Sequence, residues 1–324
     1  MAKQAVWLSG LVDFEQAAGI LETVGQIPIS ASSVWRRVAE WGERCQAVEA
    51  AQRAMAAVLP ARSEIVAGEV RGAQDMGVAM DGAMVNVRQE GWKELKVGCV
   101  FEVEVRPTRD PQTSDRVDLA HAVHNSYVAH LGGPEVFGQA LWAEARRRDW
   151  TRARDTIALG DGAAWVWNLV GEHFYDSRQA VDWYHATQHL ASAAKLLQGE
   201  GTPAARQWFR EQENLLFQGH ARRIGGHLRQ ATPVHPDRAE DLRREAGYFE
   251  DHHRRMQYLE LREDGFPIGS GMVESGCKQF RERFTGADMR WSRPGVEHLL
   301  PVRAAIMSRR FNDLWLAAYR PPPN

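Results

Sequence analysis

Hydrophobic positions change their period along the chain, and each change predicts a different element. Phe14, Ala17, Ala18 and Leu21 mark one side of a short helix that Gly25 can end, and Ser30-Ala31-Ser32-Ser33 offers N-caps for a second. From Val34 the apolar positions Val38, Trp41, Cys45, Val48, Met55 and Leu59 keep three- and four-residue spacing until Pro60, which predicts one long helix. A helix, a turn and a helix beginning Ser32-Ser33-Val34-Trp35-Arg36-Arg37 fit two arrangements. One is a DNA-reading helix-turn-helix with a dimerising extension, the other a plain helical hairpin packed on the next domain.

Beyond Pro60 the pattern shortens to strands at Gly77 to Asp81, Ala83 to Arg88 and Leu95 to Val105, spaced as an antiparallel meander. A helical stretch is predicted over about His121 to Arg148. It is followed by a strand at Thr156 to Gly160, a short helix at Ala163 to Leu169 and a short strand at Ala180 to Trp183. This order belongs to an α/β domain with a mixed sheet. From His185 to about Arg262 the chain reads as helical, with Trp208, Phe209, Leu215, Leu216 and Phe217 as apolar stripes, which suggests an all-α insertion. The expected organisation is an N-terminal helical region (1–60), a first part of the α/β domain (61–184), the insertion (185–264), the remainder with a Glu-bearing helix (265–320) and a disordered tail (321–324).

Composition narrows the class. With 324 residues, 44% apolar and 25% charged, the chain can bury a large core in about two compact units. No apolar run approaches the ~18 to 20 residues of a membrane span and the first residues do not start a signal peptide, so a cytoplasmic protein is expected. Cys45, Cys99 and Cys277 form no CxxC pair and are expected to be reduced. A formal charge of −2 argues by itself against a nucleic-acid binder, but its distribution is uneven. Only five of the 40 basic residues are lysines, and residues 275–324 hold nine basic against four acidic side chains. That excess is either a phosphate-contacting surface or a solvated arginine surface.

Two acids end predicted strands and precede glycine: Met80-Asp81-Gly82 and Leu159-Gly160-Asp161-Gly162. A strand end presents a side chain at the sheet's rim, and glycine lets the backbone turn away from a ligand, although Asp-Gly is also a common turn. A third acid, Glu274, follows Gly269-Ser270-Gly271; with Ser270 as N-cap it falls in a helix's first turn. Val273, Cys277, Phe280 and Phe284 make that helix's apolar stripe, which assigns Cys277 to the core. Glu274, Lys278 and Arg281 line the adjoining face, as a site or as an exposed ion-pair ladder. Three convergent carboxylates suit two hard divalent ions, Mg²⁺ or Mn²⁺, which support in-line phosphoryl transfer. His185 and His189 lack the HExxH pattern and a third zinc ligand.

These segments, with Val181-Asp182-Trp183-Tyr184-His185-Ala186 and Gly286-Ala287-Asp288-Met289-Arg290-Trp291, resemble DDE transposases of the ISKra group of bacterial insertion sequences over roughly residues 10–318. The resemblance implies a ribonuclease-H-like fold with the first Asp on the first strand, the second after the fourth, and the Glu on a helix beyond an α-helical insertion. It implies Asp81, Asp161 and Glu274 as catalytic and metal-binding residues, two Mg²⁺ or Mn²⁺ ions, and DNA cleavage followed by strand transfer. Asp182 and His185 resemble the C/D-x-x-H signature of Mutator-like transposases and are expected to support the site as a hydrogen-bonded pair. Lys278, Arg281, Arg283, Arg290 and Arg293 are expected to hold DNA phosphates, and Trp291 either stacks on a base or is a core tryptophan. The expected partners are element ends and target DNA, bound by a homodimer or higher oligomer in the nucleoid. Because Met1 falls almost inside the helix-turn-helix-like part, recognition of terminal repeats is expected to be incomplete. The rival functions are a ribonuclease-H-like nuclease without strand transfer and a domesticated, DNA-binding descendant of a transposase.

Overall fold

A computed structural model describes residues 1–58, 74–109, 115–286 and 289–320. Leu59, Pro60, Ala287, Asp288 and the tail 321–324 lie outside the described residues.

The centre is a five-stranded mixed sheet in the order β3-β2-β1-β4-β5, formed by β1 (Asp75–Val87), β2 (Gly91–Arg109), β3 (Arg116–Leu131), β4 (Thr156–Gly160) and β5 (Arg178–Val181). β1, β2 and β3 are an antiparallel meander, whereas β4 runs parallel to β1 and β5 parallel to β4. Alternation in β1 explains its central place. Ala79, Ala83, Val85 and Val87 enter one core cluster, and Met76, Val78 and Met80 enter the other. A strand that buries both faces belongs inside a sheet.

One face of the sheet is covered by α11 (Gly271–Phe284) and α12 (Arg293–Met307), with α3 (Ala31–Ala57) and α13 (Phe311–Tyr319) packed on α12, and the other face by α4 (Pro134–Arg147) and α5 (Ala164–His173). Between β5 and α11 the chain is helical: α6 (Trp183–Gln198), α7 (Pro203–Phe217), α8 (Ala221–Gln230), α9 (Ala239–His252) and α10 (Tyr258–Glu263). These helices continue the second core through Leu190, Leu216, Ile224, Leu228 and Phe249.

At the N-terminus α1 (Ala2–Ser9), α2 (Phe14–Thr23) and the start of α3 share a small core of Ala5, Ala17, Ala18, Leu21 and Val34. Asp13 caps α2 and Ser30 caps α3 through side-chain bonds to Gln16 N and Ser33 N. Farther along α3, Trp41 stacks on Trp315 of α13 at 3.9 Å between ring centroids, so the long helix is fixed to the sheet domain.

Three expectations need correction. The segment His121 to Arg148 is not one helix: β3 runs to Leu131 and α4 starts at Pro134, after Gly132-Gly133. Proline at a first helical position is a start signal, and the partner strand β2 holds the preceding residues extended. The two strands expected on either side of Asp81-Gly82 are a single strand, β1, in which Asp81 pairs with Val97 and Gly82 with Lys96. Helix α1 is an additional element ahead of the first expected helix.

Candidate active site

Strand register brings three acids into one row. Ala79 pairs with Leu159 and Gly160 with Val181, so Asp81, Asp161 and Asp182 occupy equivalent positions on β1 and just beyond β4 and β5. Side chains at equivalent register share a face, and this face is that of Ala79, Leu159 and Ala180, which pack with α11. The first turn of α11 carries Glu274. Because β4 ends at Gly160 while β1 continues to Val87, the rim of β1 beyond Asp81 is open. A cavity of about 640 Å³ lies there; Asp81, His185, Glu274, Cys277, Lys278 and Arg281 are among its lining residues.

Asp81 accepts the Gly82 N–H at 2.7 Å. Burial pushes its carboxyl above the ordinary range, Gly82 and the adjacent Cys277 thiol pull it back, and the negative charge of Asp161 adds to the rise. A Cβ at Gly82 would meet only the end of the exposed Glu94 side chain, 2.7 Å from Oε1, which can swing aside. The glycine sits inside a strand, paired with Lys96, and not at the expected turn.

Asp161 does end its strand. Its Oδ1 accepts the Ala163 N–H at 2.9 Å, and its carbonyl accepts the Tyr248 hydroxyl of α9 at 3.1 Å. Gly162 between them has φ of +105°, open to glycine, and a Cβ would meet the Tyr248 ring at 2.8 Å. Helix α9 thus braces the second acid.

Asp182 is fully buried and its carboxylate is committed. Oδ1 accepts the His185 N–H at 2.8 Å, capping α6, and lies 3.2 Å from His185 Nδ1, while Oδ2 accepts the Ser270 N–H at 2.5 Å. Burial pushes the Asp182 carboxyl up, but the bonds from His185 and Ser270 outweigh it and hold it below the ordinary range. The Asp182 bond raises His185 above the usual imidazole value against its burial, with further help from the charges of Asp182, Asp161 and Asp81. One carboxylate thereby ties the start of α6 to the entry of α11.

Glu274 is bonded to the Ser270 hydroxyl at 3.1 Å, so Ser270 does not cap α11 with its side chain as expected. Potential ligand atoms of Asp182, His185 and Glu274 lie within 4.8 Å of one another. Since both Asp182 oxygens are occupied, that residue fits a positioning role. His189 is bonded to Glu245 at 2.7 Å and stacked on Tyr248. Cys277 is buried as expected, but its thiol also borders the cavity beside Asp81, so it is not core alone.

The expected phosphate contacts separate into three groups. Lys278 and Arg281 are exposed and line the acidic cavity; Arg290 is exposed beside a different cavity of about 360 Å³ that Trp35 and Arg88 also line. Arg293 is engaged by Glu90 and Glu297. Arg283 is corrected, and of its two expected roles Trp291 takes that of a core tryptophan. Arg283 is 3% exposed, donates to the Ser9 carbonyl at 2.7 Å and sits over the Phe14, Phe284 and Trp291 rings. Trp291 is 7% exposed and donates its indole N–H to the Phe284 carbonyl at 2.9 Å. Both hold the N-terminal helices on α11. Sequence reasoning did not single out Trp92 and Tyr184, which also line the acidic cavity, or Tyr248. An aromatic after a turn and one after a helix cap were the only signals.

No protein-family model matches the chain, and no curated protein matches it.

Proposed function

We propose that the chain is a DDE-type transposase with a ribonuclease-H-like catalytic domain, cutting and joining DNA through divalent ions held by Asp81, Asp161 and Glu274. One observation carries this reading: adjacent parallel strands put Asp81 and Asp161 in register on the sheet face where the first turn of α11 brings Glu274. The placement supports the resemblance, with the first acid on β1, the second directly after β4, and the third on a helix that follows the helical segment α6 to α10.

The donor set fits hard cations. Carboxylate oxygens are the ligands such ions prefer, and burial next to another negative charge, which raises Asp81, is relieved by a bound divalent cation. Two such ions would activate the attacking oxygen and stabilise the leaving one. The chain's own residues set the geometry: Tyr248 and Gly162 fix the Asp161 backbone, and Asp182 locks the start of α6 to the segment that leads into α11. Lys278 and Arg281, one and two turns along α11 from Glu274, face the cavity where a phosphodiester would lie. No helix among the described residues is long and apolar enough to cross a membrane. The proposed setting is the bacterial cytoplasm, on DNA, as a homo-oligomer.

A strand-transfer assay tests the reading. The protein is incubated with Mg²⁺, DNA from either side of its gene and a target plasmid, and junctions are sequenced. Joined products with a fixed element end are expected; cleavage without joining would replace the transposase reading by that of a nuclease.

A further inference from the structure

The cavity of about 360 Å³ that Arg290 borders lies where the N-terminal helices meet the end of β1, the end of α11 and the start of α12, and among the described residues it shares no wall with the acidic cavity. Its charged lining residues, among those described, are Arg88, Arg283, Arg290 and Asp13. Arg88 and Arg290 are exposed, and neither side chain has a hydrogen bond or ion pair among the described residues. Arg283 is buried instead: Nε donates to the Ser9 carbonyl, Nη1 touches the Met289 sulfur at 4.0 Å, and Nη2 has no partner. A buried cation with an unmade hydrogen bond and no carboxylate in ion-pair contact is costly. Burial pulls its guanidinium down to about 10; the Asp13 charge offsets part of this, and Arg303 adds to the fall. An anion in the cavity relieves both the unpaired charge and the unpaired N–H. Met289 also lines the cavity, and its flexible thioether can give way to such a ligand.

The remaining walls say what the anion carries. Trp35 of α3 is 49% exposed, and Phe14 and Trp291 add aromatic surface, which fits a flat ring. Asp13 accepts the Gln16 N–H with Oδ1, while Oδ2 has no hydrogen-bond partner among the described residues. An ionised carboxylate only accepts, so it calls for a donor on that ring. The volume is that of a small-molecule site, and a buried guanidinium in its wall is out of reach of a duplex backbone. We propose that this cavity binds a free nucleotide, its phosphate held by Arg88, Arg290 and Arg283, its base against Trp35 and the base's amine donated to Asp13. The ligand bridges α2 and α3 to α11 and α12, so binding fixes the N-terminal helices on the sheet domain. This site is independent of the metal-site reading and stands or falls without it.

Calorimetric titration of AMP, adenosine and inorganic phosphate in metal-free buffer tests the inference. Wild type is compared with Arg88→Ala, Arg290→Ala, Trp35→Ala and Asp13→Asn, each shown to be folded by circular dichroism. AMP is expected to bind more tightly than adenosine or phosphate and to raise the melting temperature. Each arginine variant should bind AMP about 10-fold more weakly, the loss of one charged hydrogen bond. Asp13→Asn, whose amide oxygen still caps α2, should lose about 10-fold on AMP and nothing on inorganic phosphate. Asp81→Asn should bind AMP as wild type does; loss of binding there would move the ligand to the acidic cavity and overturn the inference. It is equally overturned by wild type that does not bind AMP, by phosphate binding as tightly as AMP, by AMP affinity that ignores all four substitutions, or by release of AMP on adding duplex DNA.

Discussion

Asp182→Ala isolates the tie between α6 and α11. Removing the carboxylate leaves the His185 and Ser270 backbone N–H groups without their acceptor in a buried place. Each unpaired buried donor costs about 1 to 3 kcal/mol, so a loss of roughly 3 to 5 kcal/mol is expected, with the α6 cap already counted in that sum. Asp182→Asn should cost nearly as much, because its amide can accept from His185 only by turning a donor toward the Ser270 N–H. At ~2 °C or more per kcal/mol, the melting temperature followed by circular dichroism in chelator should fall by about 6 °C or more. The loss has a pH window. His185, raised in the folded state, contributes stability that is complete below its unfolded value of about 6.5 and is lost as pH rises through the folded value. Asp182, depressed, contributes above about 3.9 and is lost as pH falls through its folded value. The difference from wild type should therefore be largest between about pH 4 and 6.5. A shift below 2 °C at pH 5.5, or a deficit that grows above pH 7, refutes the reasoning.

Other expectations follow from the same packing. Burial lifts Glu49 on α3 to about 7, against the nearby Arg310 and Arg53 and with help from Glu144. An acid raised in the folded state loses stability as pH climbs from about 4.5 to 7, so Glu49→Gln should gain about 1 to 3 kcal/mol over wild type between pH 5 and 8, read from urea midpoints. A parallel pH profile in the two proteins would contradict this. Trp291→Ala should cost about 3 to 5 kcal/mol of stability and leave the salt dependence of DNA binding by folded protein unchanged; a flatter salt slope without loss of stability would restore its place at the DNA. For Lys278→Ala combined with Arg281→Ala, the log-log salt slope should fall by about 0.9 for each duplex phosphate that is no longer neutralised, and an unchanged slope would mark this face as merely solvated.

Much of the site could be read from local pattern, because its parts are local signals. A short apolar strand running into Gly160-Asp161-Gly162, and Gly269-Ser270-Gly271 ahead of a periodic helix, located Asp161 and Glu274 at element ends. What failed were places where tertiary pairing decides. Asp81-Gly82 has turn composition, yet long antiparallel pairing with β2 carries the strand straight through it, with Gly82 opposite Lys96. The His121 to Leu131 segment has no clean two-residue alternation because its surfaces are mostly half-buried, so the long β2 partner sets its conformation. Arg283 looked exposed beside Lys278 and Arg281 because the sequence does not show that Ser9 and Phe14, some 270 residues earlier, cover that side of α11. The same long-range placement hid that Trp92 and Tyr184 line the acidic cavity.

The central claim is that Asp81, Asp161 and Glu274 act together through bound divalent ions. Nicking of supercoiled plasmid in Mn²⁺ or Mg²⁺ tests it most directly, comparing wild type with Asp81→Asn, Asp161→Asn and Glu274→Gln after each variant is shown to be folded by circular dichroism. Amides keep the shapes of the side chains and remove the charge that holds hard cations. Metal-dependent nicking by wild type that is abolished in all three variants and in excess chelator is the expected result. Wild-type nicking by any one of the variants, or nicking that persists in chelator, would contradict the account.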